Sequence, residues 1–155
     1  VIAEELVVPD AESMEALGAR LARVLRAGDV VLLNGELSAG KTTLTRGLGA
    51  ALGARGAVTS PTFVLARTHP TASGVPLVHV DAYRLGSAAE VDDLDLDLDG
   101  SITVVEWGAG KVDGAVDSWL ELDIVRPVGG DPEADDAPRR VTLRSHGSRW
   151  DGVAF

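Results

Sequence analysis

Apolar side chains recur at Met14, Leu17, Leu21, Val24 and Leu25, a helical spacing that predicts an amphipathic helix over residues 11–26. Asp10 stands where an N-cap belongs, Glu12 falls in the favourable first turn, and Gly28 supplies a stop. Residues 5–8, just before this helix, read as a short strand. After it, Val30-Val31-Leu32-Leu33 is a continuous apolar run within residues 29–34, the pattern of a strand covered on both faces in a parallel sheet. A second helix is predicted over residues 41–52, with Leu44, Leu48, Ala51 and Leu52 on one side and Gly53 beyond its end.

Residues 63–67 and 77–80 read as two strands joined by a Pro/Gly loop over 69–76, and residues 87–94 as a short helix. Ile102-Thr103-Val104-Val105 is β-branched throughout and predicts a buried strand. Residues 119–125 alternate weakly and 141–144 return as a last strand. Between them, residues 128–138 are rich in Gly, Pro and acids and predict a mobile loop. No internal repeat interrupts the order. Strands alternating with helices predict an α/β sandwich with a mainly parallel central sheet.

Composition narrows this picture. With 155 residues, 45% hydrophobic and 25% charged, residues 1–155 suit a single globular domain. Twenty-four acids against fourteen bases give a net charge of −10, which argues against unaided gripping of a nucleic-acid backbone. The absence of cysteine removes disulfides and thiolate metal sites and fits a reducing cytoplasm. No apolar run is long enough to span a bilayer, and the early acids Glu4 and Glu5 argue against a signal peptide.

The strongest chemical signal lies between the apolar run and the second helix. Gly35-Glu36-Leu37-Ser38-Ala39-Gly40-Lys41-Thr42 fits the phosphate-binding pattern G-x-x-x-x-G-K-[ST], in the strand-then-helix setting that the pattern requires. Glycines let the backbone curl so that N–H groups converge on phosphate oxygens, and the helix start adds its positive dipole end. Lys41 is placed for the β- and γ-phosphates and the Thr42 hydroxyl for Mg²⁺. Hydrolysis also needs acids that hold Mg²⁺ and position water. Asp81 and Glu106 both end predicted strands, where open parallel sheets place their ligands. Thr62, in Thr59-Ser60-Pro61-Thr62-Phe63, is placed either to offer a hydroxyl near the γ-phosphate or to sit in a simple Pro turn.

Four segments in order carry a family resemblance: residues 35–43, Ser-Pro-Thr-Phe at 60–63, His-Val-Asp-Ala-Tyr-Arg-Leu at 79–85, and Ile-Thr-Val-Val-Glu-Trp at 102–107. Together they resemble the TsaE family, small bacterial P-loop ATPases of tRNA threonylcarbamoyladenosine (t6A) synthesis. The resemblance spans about residues 5 to 145 and implies a P-loop NTPase three-layer sandwich, ATP and Mg²⁺ as ligands, and work on TsaD and TsaB in the cytoplasm. tRNA would then be met only through that complex, and no membrane. It implies that Gly35, Leu37, Ser38, Ala39, Gly40, Lys41, Thr42 and Thr43 hold the phosphates. Ala11, in the stretch 10–13, would lie near the adenine. It further implies that Thr42 and Glu106 are the metal residues, that Lys41, Asp81 and Glu106 are the catalytic ones, and that Trp107 packs at the nucleotide-dependent surface. One departure is Ser38, where the family usually has Gly; if φ is positive there, serine strains the loop.

Rival patterns fare worse. Residues 95–106 formally fit an EF-hand calcium loop, but the β-branched run at 102–105 and Trp107-Gly108-Ala109-Gly110 are poor helix formers. A GTPase would read guanine with Asn-Lys-x-Asp, and here Gly110 replaces the Asn before Lys111 and Asp113. A small-molecule kinase would need an Arg-bearing lid, and Arg46, Arg55, Arg67 and Arg84 are scattered. A nucleotide-gated binding module with slow hydrolysis stays open beside the ATPase. His69, His79 and His146 make no metal-ligand spacing, and His79, inside a strand, reads as a hydrogen-bonded residue of the core or one supporting a site residue. The tryptophans read as packing residues.

Overall fold

Buried apolar runs organise the fold. A computed structural model describes residues 2–35, 40–54, 66–81, 98–107, 116–125 and 138–153, with only the backbone of Ile2, Ala3 and Asp81. In chain order the elements are β1 (Ile2–Val8), α1 (Ala11–Ala22), β2 (Val30–Asn34), α2 (Lys41–Leu52), β3 (Ala66–His69), β4 (Leu77–Asp81), β5 (Ile102–Glu106), β6 (Trp119–Val125), β7 (Arg139–His146) and a 3₁₀ turn, Ser148–Trp150. The strands form one seven-stranded sheet in the order β1-β7-β6-β2-β5-β4-β3.

The sheet is mixed. Strands β6, β2, β5 and β4 are parallel neighbours, whereas β1 and β7, β7 and β6, and β3 and β4 pair antiparallel. The expected mainly parallel sheet therefore holds for the four central strands and gives way at both flanks. At one flank the seven residues between His69 and Leu77 are too few for a crossover, which takes a dozen or more. At the other, β6 and β7 are joined with no described helix between them.

The two faces of β2 are buried in different clusters. Val31 and Leu33 pack with Met14, Leu17 and Leu21 of α1 and Leu44 and Leu48 of α2. Val30 and Leu32 pack with Val78, Val80 and Val105, covered among the described residues by Ala66, Leu98, Val116 and Trp119. Both described α-helices thus belong to one face. The predicted helix over 87–94 lies outside the described residues, so a helical third layer is not among the described elements.

The helices touch at backbone distance because of two glycines. A Cβ on Gly18 would stand 2.1 Å from the Leu44 carbonyl oxygen, and one on Gly47 2.1 Å from that of Glu15. Strand β1 runs in the direction of β2, being two antiparallel steps from β6, which is parallel to β2. Both helices therefore start at the sheet edge where β2, β5 and β4 end.

Helix α1 stops at Ala22, four residues short of the span its periodicity suggests. The cause is Asp29: its Oδ2 accepts from the Arg26 N–H at 2.8 Å, and its own N–H donates to the Arg26 carbonyl at 3.0 Å. The same buried carboxylate receives Arg149 in a fork, with Nε at 3.0 Å and Nη2 at 3.1 Å, while Nη2 also donates to the Val24 carbonyl. Arg149 lies 4.4 Å over the ring of Trp150, which is fully buried as a packing residue. Arg149→Ala is expected to destabilise the fold by about 3 kcal/mol, because it leaves Asp29 buried without its cation. The measurement is the urea midpoint at unchanged slope, and a midpoint equal to wild type would show the pair to be incidental.

Candidate functional site

The phosphate-loop segment begins where β2 ends. Asn34 closes β2, and its amide donates to Asp123 at 2.9 Å and Glu121 at 3.2 Å, tying the strand end to β6. Arg144 pairs with both of these carboxylates from β7. Asn34 was not singled out from the sequence; its one signal is an amide ending an apolar run directly before Gly35. Leu37, Ser38 and Ala39 lie outside the described residues, as do Thr62 and the strain question raised by Ser38.

Gly40 then starts α2 with φ +117°, a left-handed conformation that favours glycine. A Cβ there would also meet Met14 Cε of α1 at 3.0 Å. Among the described residues no side chain caps α2, and no acid occupies its first turn. The positive dipole end of such a helix start favours an anion. Helix α1 provides the contrast: Asp10 Oδ1 accepts from the Ser13 N–H at 2.8 Å and Glu12 sits in the first turn. That backbone hydrogen bond, and then the Ser13 hydroxyl, hold the Asp10 carboxyl below its ordinary value. Ala11 is the first residue of α1. Its helix begins at the same sheet edge as α2, and the Met14–Gly40 contact keeps the two helix starts close.

Lys41, Thr42 and Thr43 form the first turn of α2. Lys41 is buried. Its Nζ donates to the Gly35 carbonyl at 2.6 Å and lies 4.1 Å from the Trp107 ring centroid. The Trp107 N–H donates to the Leu33 carbonyl at 2.7 Å, and Trp107 has φ +61°, a strained value for a bulky residue. Strain of this kind concentrates at functional sites. The ring is thereby set beside Lys41.

The acid end of β5 reaches the same turn. The Thr42 hydroxyl donates to Glu106 Oε1 at 3.4 Å, and His79 Nε2 meets Glu106 Oε2 at 2.5 Å. Glu106 is 4% exposed and His79 0%. The backbone register pairs Asp81 of β4 with Glu106 of β5. Sequence reasoning placed both acids at strand ends. The structure brings Glu106 to Thr42, and it brings the Asp81 backbone beside Glu106.

These oxygens suit a hard cation. Neighbouring ligands of an octahedral Mg²⁺, each about 2.1 Å from the metal, stand about 3 Å apart. The Thr42 and Glu106 oxygens are 3.4 Å apart without it. Mg²⁺ at nucleotide sites uses one or two side chains plus phosphate oxygens and water, so it needs no dedicated cage. Among the described residues no group of three or more His, Asp or Glu gathers as a metal cluster. Glu106, which a calcium loop would use as its last ligand, ends a strand rather than lying in a helix–loop–helix, so the EF-hand match is excluded. No helix among the described residues is long and apolar enough to cross a membrane.

The family "Threonylcarbamoyl adenosine biosynthesis protein TsaE" matches residues 8–128. A Streptomyces coelicolor protein named tRNA threonylcarbamoyladenosine biosynthesis protein TsaE is 60% identical over 141 residues, covering 88% of this chain and 93% of its own. A Bacillus subtilis protein of the same name is 33% identical over 142 residues, covering 90% of this chain and 84% of its own. The crystal structure of YdiB from Bacillus subtilis superposes with a TM-score of 0.73 at 28% identity, covering 97% of this chain and 90% of that one.

Proposed function

This chain belongs to the TsaE family of threonylcarbamoyl adenosine biosynthesis proteins, and we propose that it serves t6A modification of tRNA by binding and hydrolysing ATP with Mg²⁺. The observation that carries this reading is the contact of Glu106 with Thr42 at the uncapped start of α2, with Lys41 buried beside it.

In this reading the loop from Gly35 to Gly40 and the leading N–H groups of α2 hold the phosphates. Lys41 exchanges the Gly35 carbonyl and the Trp107 ring for the β- and γ-phosphate oxygens. Thr42 and Glu106 hold Mg²⁺, which would neutralise charge developing on the phosphates. Glu106 and Asp81 orient the attacking water, and Ala11 and its neighbours border the adenine. The acidic chain docks on a basic surface of the TsaD–TsaB complex, where complementary charge directs association, and meets tRNA only there.

A nucleotide-gated module with slow hydrolysis is the second reading. The contact of Lys41 with the strained Trp107 favours it, because phosphate binding at Lys41 would free that ring to report the nucleotide state. Turnover measured with and without TsaD–TsaB separates the two. ATP is expected to bind at least about tenfold more tightly than GTP, since Gly110 lacks the amide that a guanine reader uses. Competition between the two nucleotides checks this, and a preference for GTP would return a GTPase to first place.

A further inference from the structure

Glu106 has one short contact and one long one, and the short one is not to the nucleotide loop. His79 Nε2 lies 2.5 Å from Oε2, while the Thr42 hydroxyl is 3.4 Å from Oε1. A glutamate has three rotatable bonds, and a contact at each oxygen leaves one orientation. The stronger contact sets that orientation, and the longer one is the side that can yield to a cation. His79 sits in β4, where register places it opposite Val104 and Asp81 opposite Glu106. Its ring therefore reaches along the strands to the next pair rather than to its own partner.

The rest of the imidazole is poorly served. His79 is completely buried, and its Nδ1 has no hydrogen-bond partner among the described residues. Burying a polar atom without a partner is unfavourable, so an apolar residue would suit the position better if packing were its only task.

We propose that His79 is the positioning residue for Glu106: its Nε2–H holds Oε2, so that Oε1 faces the Thr42 hydroxyl as an oriented metal-ligand oxygen. This rests on the ATPase reading above. His79 touches neither phosphate nor metal and acts through the carboxylate alone, as residues behind metal ligands commonly do.

The experiment compares His79→Ala, His79→Gln and His79→Asn with wild type and Glu106→Ala. Glutamine can place its amide N–H where Nε2 lies; asparagine carries the same group one bond too short. Mn²⁺ binding to the ADP-loaded protein, followed by electron paramagnetic resonance, is one readout. Affinity for ATP without metal, and kcat on the TsaD–TsaB complex, are the others. His79→Ala and His79→Asn are expected to weaken Mn²⁺ binding and lower kcat by about 10–100-fold, with metal-free ATP affinity changed by no more than about twofold. His79→Gln is expected to recover most of both.

Equal behaviour of the Gln and Asn variants would overturn the proposal, as would parallel losses with and without metal, which a purely structural residue would give. If His79→Ala does not fold, the Gln–Asn difference still decides. Wild-type metal binding in the His79 variants alongside impaired Glu106→Ala would remove His79 and leave the ATPase reading standing. Unimpaired Glu106→Ala would instead remove that reading.

Discussion

Lys41→Ala is expected to raise the dissociation constant for Mg-ATP about 100-fold or more while the chain stays folded. In the proposed complex the ammonium gives charge-assisted hydrogen bonds to two phosphates, each worth about 1.5–3 kcal/mol. A net loss near 3 kcal/mol is about two orders of magnitude in affinity. Before nucleotide arrives, Lys41 is held by the Gly35 carbonyl and the Trp107 ring. These contacts are replaceable, because the burial of α2 rests on Leu44 and Leu48 and on the close approach at Gly47. The thermal midpoint is therefore expected to move by only a few degrees. Titration calorimetry on the folded variant is the check, and wild-type affinity there would remove the phosphate-loop reading altogether.

The legible parts of this fold are those whose cause is local. Val30 to Leu33 and Ile102 to Val105 carry apolar or β-branched side chains at successive positions, and only strands covered on both faces need that. The structure buries all of them. Asp10 announces the start of α1 and caps it. Gly40, Lys41 and Thr42 lie at the start of a helix after a strand, as the motif requires. The end of α1 was not legible, since Asp29 takes the Arg26 N–H from beyond the helix, and apolar periodicity ignores a side chain that competes for backbone.

Direction and register were harder still. Residues 126–138 are long enough for a parallel crossover, and nothing in their composition states that β7 turns back against β6. Arg149 and Asp29 are 120 positions apart and share no pattern. At the site, the sequence placed Glu106 and Asp81 at strand ends because ligand edges follow from strand direction. It left His79 as a hydrogen-bonded residue of the core or one supporting a site residue, and which carboxylate the ring meets depends on the offset between β4 and β5, since pairing register is not written in either strand alone.

In the proposed ATPase, that register is what separates binding from chemistry at this edge. Lys41 and the loop backbone come from one continuous segment, so they can grip phosphate wherever β4 and β5 end. Glu106 arrives from a neighbouring strand, and its carboxylate meets Thr42 and His79. Glu106→Ala is therefore expected to lower turnover on the TsaD–TsaB complex about 100-fold or more, the usual scale for losing electrostatic positioning at a reacting centre. Affinity for ATP should change only a few-fold. Glu106→Gln refines the test: its amide oxygen can still accept from His79, so shape and that hydrogen bond persist while the charge is lost. Turnover should fall nearly as far as in Glu106→Ala if the charge holds Mg²⁺ and orients water, and should stay near wild type if the side chain only fills space. Asp81→Ala is expected to share the phenotype, because its backbone is paired with Glu106 at the same strand end. Single-turnover assays beside calorimetry on each variant decide the matter, and full turnover in any one of them takes that acid out of the site.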